Sequence, residues 1–314
     1  MISIKAEHLY KNYGDIKSLD DISFEVGKGE LFGFIGPDGA GKTTLFRILT
    51  TLILMDKGQA TIEGLDVVKD YRKLRSMLGY MPGRFSLYQD LTVEENLQFF
   101  ASIFGTTIEE NYDLVRDIYV QIEPFKNRLA GKLSGGMKQK LALSCAMIHK
   151  PVVLVLDEPT TGVDAVSRTE FWEMLQKLKT DGITIIVSTP YMDEAELCDR
   201  VALIQHGQIM KIAPPEQIIA DYDHKLYAVK TNNTYQLIQD LKQFPDINTT
   251  FPFGQSVHFT PTDDSFKIGN LSAYLKQIGH QNIDVQKIEP GVEDCFMALM
   301  FKKSINMGMN HKDG

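Results

Sequence analysis

No apolar run in this chain approaches the ~20 residues that a membrane-spanning helix requires, so none of its segments is expected to cross a bilayer. Cysteine is scarce: the 3 present, Cys145, Cys198 and Cys295, lie far apart and form no CxxC pair. Buried reduced thiols are therefore expected in place of a disulfide framework or a thiolate metal site. A surplus of positive charge is also missing. With 33 Lys and Arg against 41 Asp and Glu, the formal net charge is -8, which argues against nucleic acid as a partner and against sequence-independent adhesion to an anionic membrane. The opening residues, Met1-Ile2-Ser3-Ile4-Lys5-Ala6-Glu7, show polar alternation and do not read as a signal peptide. A cytoplasmic subunit of something larger is therefore expected, and any membrane contact would come through protein subunits. At 314 residues the chain is long enough for one large domain and one small one.

The stretch Gly36-Pro37-Asp38-Gly39-Ala40-Gly41-Lys42-Thr43 fits the phosphate-loop pattern GxxxxGK[ST]. Leu31-Phe32-Gly33-Phe34-Ile35 reads as a buried strand entering it, and the residues from Thr44 to Leu49 read as a helix leaving it. The glycines let successive backbone N–H groups turn toward one anion, and the helix N-terminus adds partial positive charge. Lys42 would reach the β- and γ-phosphates of ATP and the Thr43 hydroxyl would sit on Mg²⁺. A second apolar run, Pro151-Val152-Val153-Leu154-Val155-Leu156, suits a buried parallel strand and ends in Asp157-Glu158. Its carboxylates would emerge beside the phosphate loop, Asp157 to hold hydrated Mg²⁺ and Glu158 to orient or deprotonate an attacking water. Two adjacent acids after a strand are more often only a solvated loop; the phosphate loop upstream gives them their meaning. Between the two elements lies Leu133-Ser134-Gly135-Gly136, where Ser134 can cap a helix and the glycines expose its first amides.

Phosphate loop, Leu-Ser-Gly-Gly, then an apolar strand with Asp-Glu-Pro-Thr, in this order, resembles an ABC-type ATPase over residues from about 2 to 220. The resemblance implies an α/β fold: a P-loop NTPase (RecA-like) core with an antiparallel β subdomain and a helical subdomain. It also implies a head-to-tail pair of cassettes, in which Ser134, Gly135 and Gly136 close over ATP held by a second ABC ATPase. Tyr13 resembles the aromatic that stacks on adenine, although a lone tyrosine is more often packing. Asp164, in Gly162-Val163-Asp164, resembles the aspartate that links the two sites, and Ser188-Thr189 followed by Asp193-Glu194-Ala195-Glu196 also fits. Residues 71–127 are expected to be mostly helical, with a capping box at Thr92-Val93-Glu94-Glu95. In the family this region forms the groove that receives a short helix from the integral membrane permease.

Two positions depart from that pattern. Where the family places a histidine on the γ-phosphate this chain has Pro190, which has no ionisable group and no backbone N–H. Where the family places a glutamine on the metal and water it has Gly83, with no side chain at all. Asp38, where many relatives carry asparagine, is a milder change. A homodimer would repeat both losses in two identical sites. A heterodimer with a competent cassette would combine one impaired site with one intact site completed by this chain's Ser134, and is the favoured reading.

Past Pro214-Pro215 the texture changes. Strands at 226–230, 257–261 and 285–289 and helices at 234–244, 268–278 and 292–301 suggest a small α+β domain, with ferredoxin-like topology the leading reading. It resembles the C-terminal extension on ATPases of ABC-2-type exporters. His258 and His280 are too isolated to suggest a metal site. The expected domains are 1–220 for ATP binding and 221–303 for the accessory unit, with a frayed polar tail at 304–314. Function is then expected to be the ATPase subunit of an ABC exporter, with two alternatives left open. One is a regulatory subunit that binds ATP and dimerises with little hydrolysis; the other is a soluble ABC ATPase of repair or translation, disfavoured by the short interval between loop and Leu-Ser-Gly-Gly and by the acidic balance.

Overall fold

The computed structural model describes residues 1–309, with side chains described as far as residue 302. It divides into two compact units, Met1–Pro215 and a second beginning at Glu216. In chain order the first unit has β1 (Ile2–Tyr13), β2 (Ile16–Gly27), β3 (Leu31–Ile35), α1 (Lys42–Leu49), β4 (Lys57–Ile62), β5 (Leu65–Asp66), α2 (Tyr71–Arg75) and β6 (Leu78–Met81). It continues with α3 (Val93–Ile103), α4 (Ile108–Tyr119), α5 (Gly135–Met147), β7 (Val153–Asp157), α6 (Ala165–Thr180), β8 (Thr184–Thr189), β9 (Arg200–Gln205) and β10 (Gln208–Ala213).

One sheet is the antiparallel β2-β1-β4-β5; the other has the order β10-β9-β3-β8-β7-β6 and is parallel except for the β9–β10 hairpin. Every residue of β3, β7 and β8 is buried, which is why these strands are unbroken apolar runs: a parallel sheet covered on both faces has no solvent side for polar alternation. The two sheets share a core through aromatic packing. Phe24 on β2 meets Phe34 on β3 edge to face at 4.9 Å, and Phe34 meets Phe46 on α1 in the same way at 5.5 Å. This chain of rings fixes the helix after the phosphate loop against the strand before it.

The 71–127 region holds α2, α3 and α4, but it also contains β6, the edge strand of the parallel sheet, paired with β7 from Leu78↔Val153 to Met81↔Leu156. The stretch is mostly helical, as expected, with this one strand set into it. The capping box is present: Thr92 accepts from the Glu95 amide and Glu95 accepts from the Thr92 amide. A second one, Thr107 with Glu110, starts α4. Buried Asn96 ties the loop ahead of α3 in place, accepting from the Tyr88 amide and donating to the Tyr88 and Thr92 carbonyls.

The second unit has α7 (Pro215–Ala220), which straddles its boundary, then β11 (Leu226–Lys230), α8 (Thr234–Leu241), β12 (Ile247–Phe253), β13 (Ser256–Pro261), α9 (Ile268–Gln277), β14 (Asp284–Ile288) and α10 (Val292–Met309). Its sheet order β12-β13-β11-β14 is antiparallel throughout, the split βαββαβ arrangement. Leu237 and Leu241 of α8 and Leu271 and Leu275 of α9 pack with Tyr227, Val229, Val257 and Phe259 of the sheet. His258 projects the other way, its Nδ1 2.8 Å from Asp294 Oδ1 on α10 and its ring stacked on Phe253 at 3.9 Å. His280 lies 2.9 Å from Asp240 and 3.1 Å from Thr231, so both histidines are engaged with protein groups. Helix α10 continues through Met309, where a frayed tail was expected from residue 304; residues 310–314 of that expected tail lie outside the described residues. Cys145, Cys198 and Cys295 are buried thiols, and burial pushes the pKa of Cys145 and Cys198 far up, keeping them protonated.

Candidate active site

The 36–44 loop lies at the C-terminal end of β3, with Asp157 closing β7 two strands away and Ser188 and Thr189 closing β8 between them. That edge is where an open parallel sheet binds ligands. Two glycines have left-handed backbones, Gly39 at φ 77° and Gly41 at φ 105°. At Gly36 and Gly41 any Cβ would overlap a backbone carbonyl, that of Ile204 and of Ser18 respectively, so only glycine fits. The loop is also anchored from outside: Ser18 Oγ donates to Thr44 Oγ1 at 2.7 Å and the Gly207 amide to the Ala40 carbonyl at 3.0 Å. Pro37, Asp38 and Gly39 at its crest are exposed, whereas Lys42 is only 3 % exposed.

Lys42 Nζ donates to the Gly36 carbonyl at 2.7 Å and the Pro37 carbonyl at 3.1 Å and pairs with Glu158 Oε1 at 3.3 Å. The ammonium thus sits inside the loop's own curve, held by three oxygens that a phosphate would replace. Thr43 Oγ1 donates to Asp157 Oδ1 at 3.2 Å, and Ser188 Oγ donates to the same oxygen at 2.7 Å. A threonine hydroxyl beside a carboxylate is an all-oxygen donor set suited to a hard cation that keeps most of its waters, as Mg²⁺ does. Glu158 has a left-handed backbone, φ 51°, uncommon for a residue with a side chain. Its amide donates to Ser188, which holds the strained conformation and turns the carboxylate toward Lys42. Tyr80 on β6 is pushed up to about 12 by burial, with the Asp157 charge adding, so it stays neutral near this cluster.

Lys42, Thr43, Asp157 and Glu158 are therefore brought together, as the motif spacing predicts. Ser134, Gly135 and Gly136 form a second group. Ser134 caps α5 by accepting from the Met137 amide at 3.3 Å, and Gly136 packs so closely on α6 that a Cβ would lie 2.5 Å from Ser167 Oγ. Gly135 lies beside Gly162, and Asp164 caps α6 through the Ser167 amide at 3.0 Å, with hydrogen bonds that hold its carboxyl below the usual range. Tyr13 ends β1 half exposed, with Lys11 5.8 Å from its ring centre. Gly83 is exposed, and a Cβ there would stand 3.0 Å from the Asp157 carbonyl. Pro190 follows Thr189, whose hydroxyl donates to Glu194.

The sequence alone marks Ser188 only as the end of a strand. Its part in holding Asp157 and Glu158 comes from the register Asp157↔Ser188 between β7 and β8, which two separate strand readings cannot supply. Beside the site region lies an apolar cavity of about 450 Å³ lined by Leu52, Tyr80, Met81, Phe100, Phe104 and His149. His149 stacks on Phe104 at 3.7 Å and donates from Nε2 to the Leu78 carbonyl at 3.0 Å; burial lowers its pKa. Among the described residues no helix is long and apolar enough to cross a membrane.

Residues 19–161 match the family profile described as ABC transporter. The chain is 37 % identical over 280 residues to the probable multidrug ABC transporter ATP-binding protein YbhF of Escherichia coli, covering 87 % of this chain and 47 % of that protein, so it spans about half of that relative's length. It is 37 % identical over 302 residues to the Nod factor export ATP-binding protein I of a Rhizobium species, covering 95 % and 97 %. A solved ATP-binding subunit of an ABC transporter superposes with a TM-score of 0.64 at 26 % identity, over 70 % of this chain and 93 % of that one.

Proposed function

The chain belongs to the ABC transporter family of ATP-binding cassettes, and from that premise we propose that it binds and slowly hydrolyses ATP to energise a separate membrane permease, in the direction of export, as the impaired half of an asymmetric ATPase pair. The observation that carries the ATPase reading is the convergence of Lys42, Thr43, Asp157 and Glu158 on one strand edge. ATP approaching the crest at Pro37–Gly39 meets amides turned outward by Gly39 and Gly41. Lys42 exchanges the Gly36 and Pro37 carbonyls for the β- and γ-phosphates, and its release frees Glu158. Thr43 and Asp157 would hold Mg²⁺, which supplies neutralisation of the phosphate charge. Glu158 accepts the proton of a water whose oxygen attacks the γ-phosphorus; the bond from that phosphorus to the β–γ bridging oxygen breaks, and the oxygen leaves with the electron pair as part of ADP. Ser188 keeps both acids aligned through this step.

The second group, Ser134 to Gly136 with Gly162 to Asp164, would complete the nucleotide site of another cassette. Two exposed helix N-termini side by side, at α5 and α6, support that reading. The apolar cavity at Phe100 and Phe104, with Tyr88 and Ile103 exposed nearby, would receive the permease segment at the cytoplasmic face of the membrane.

Asymmetry is supported by Gly83 and Pro190. Neither has a polar side chain, and both neighbour the catalytic pair: Gly83 through the Asp157 carbonyl, Pro190 through the end of β8. Steady-state Mg²⁺-ATPase activity of the purified chain, beside Glu158→Gln and Pro190→His and with ATP binding measured on the same samples, tests it. The expected result is ATP binding with slow turnover that rises in Pro190→His. Fast wild-type turnover abolished by Glu158→Gln would overturn asymmetry in favour of a homodimeric motor. The same two positions also favour a regulatory subunit without hydrolysis of its own, for which Glu158→Gln would leave the turnover of the assembled transporter unchanged.

A further inference from the structure

Glu194 has no part in the mechanism above, yet it is 2 % exposed and lies within the short 3-10 helix Met192–Leu197 just past Pro190. Its oxygens collect three side-chain donors from three separate segments. Oε1 accepts from Thr160 Oγ1 at 2.7 Å and from Arg168 Nε at 3.1 Å; Oε2 accepts from Thr189 Oγ1 at 2.5 Å. Thr160 stands in the loop that leaves Glu158 and ends at Asp164. Thr189 ends β8, and its Oγ1 in turn accepts from the Tyr191 amide at 3.0 Å, bracing both sides of Pro190. Arg168 on α6 makes a second bond to Asp193 at 3.1 Å and lies 4.3 Å from the centre of the Tyr191 ring.

A carboxylate taken out of water is tolerated only when its oxygens are bonded, and removing one partner costs far more than the net worth of one bond. This one is bonded on both oxygens, two of its donors are short hydroxyls with little reach, and the third is a planar guanidinium fixed by Asp193 and Tyr191. Neither segment can shift alone without stranding a buried oxygen or hydroxyl.

Resting on the cassette reading above, we propose that Glu194 is a positioning residue that locks the 160–164 loop to the 189–191 turn. The surface offered to a second cassette, Gly162 to Asp164, and the segment bounding this chain's own γ-phosphate position then move as one body. Pro190 cannot touch a phosphate through a donor, so this lock is the means by which its turn responds to the opposite site.

Hydrogen exchange on the full chain tests the lock without relying on turnover. Thr160→Val should speed exchange about tenfold at Tyr191 as well as at Val163, and Thr189→Val should do the reverse, each by loss of about one hydrogen bond. Thr160→Ser, which keeps the hydroxyl, should leave Tyr191 at its wild-type rate. In a Glu194→Gln background the propagation should vanish. Where turnover is measurable, Glu194→Gln should lower kcat about tenfold with KM for Mg²⁺-ATP held, and Glu194→Asp should recover part of it. Exchange changes confined to the substituted segment would overturn the lock and leave the ATPase reading intact. A wild-type chain that fails to bind Mg²⁺-ATP would strike that reading instead, and the exchange result would still decide whether the lock exists.

Discussion

Glu158→Gln should move binding and turnover in opposite directions, because Glu158 has two partners at two stages. Before nucleotide arrives, its carboxylate pairs with Lys42 at 3.3 Å, the lysine side chain 3 % and the glutamate side chain 23 % exposed. ATP must displace that pair to reach Lys42. A neutral amide at 158 still reaches the lysine through its oxygen but no longer holds it by charge. Discounted for the glutamate's solvent exposure, the lost competition is about 1 kcal/mol, or roughly fivefold tighter Mg²⁺-ATP binding. In hydrolysis the amide cannot accept a proton, and loss of a positioned base costs about 10²–10⁴ in rate, equivalent to ~3–5 kcal/mol of barrier. Isothermal titration with Mg²⁺-ATP and a phosphate-release assay on the same preparation read both. Turnover within threefold of wild type would refute the base assignment; weaker binding would refute the view that Glu158 competes with phosphate for Lys42. An increase in affinity confined to low ionic strength would still fit, since a partly exposed pair is screened by salt.

Gly36→Ala should lower folding stability by about 1–3 kcal/mol, because its Cβ must push against the Ile204 carbonyl and lies 3.1 Å from Ile204 Cγ2; urea unfolding with unchanged midpoint would contradict the close packing. Ser134→Arg, in a complex with a competent cassette, should cripple that cassette's turnover while Mg²⁺-ATP binding to this chain stays the same; undiminished activity of the complex would remove the claim that Ser134 serves the opposite site. His149, lowered by burial, carries stability that is fully present above its ordinary value near pH 6.5 and lost as pH falls through the lower folded value, since only the unfolded chain binds the proton readily in that window. Thermal melts from about pH 7.5 to about pH 5 should therefore show a steeper loss for wild type than for His149→Phe, which keeps the stack on Phe104 and cannot titrate; parallel slopes would remove His149 as the source.

How much of this could be read beforehand depends on whether the physics was local. The strands β3, β7 and β8 stand out because burial on both faces leaves an apolar run ending at a motif. The Thr92 capping box is a pattern of two side chains three residues apart. The loop glycines announce left-handed backbone. By contrast β12 leaves little trace in the sequence because it is an edge strand, where Pro252 and two threonines are tolerated and no continuous apolar run is needed. β6 was submerged in a helical neighbourhood because four residues are too few to set a period, and only pairing with β7 makes them a strand.

The same distinction separates the site residues that were legible from those that were not. Lys42, Thr43, Asp157 and Glu158 each belong to a motif whose chemistry is written in neighbouring residues. Ser188 and Glu194 act through partners 30 or more positions away: Ser188 on Asp157, Glu194 on Thr160. Nothing near Glu194 in sequence distinguishes it from Asp193, which is exposed, or from Glu196, also exposed. Only the fold sinks one of these three acids beneath α6 and supplies it with two hydroxyls and a guanidinium. Gly83 shows the converse. Its missing side chain reads as a simple loss, yet a Cβ there would stand 3.0 Å from the Asp157 carbonyl, closer than an ordinary van der Waals contact. Restoring a side chain there asks that carbonyl, at the end of the strand carrying Asp157 and Glu158, to give by a few tenths of an ångström, so position 83 is linked to the two acids through packing as well as through the absent amide.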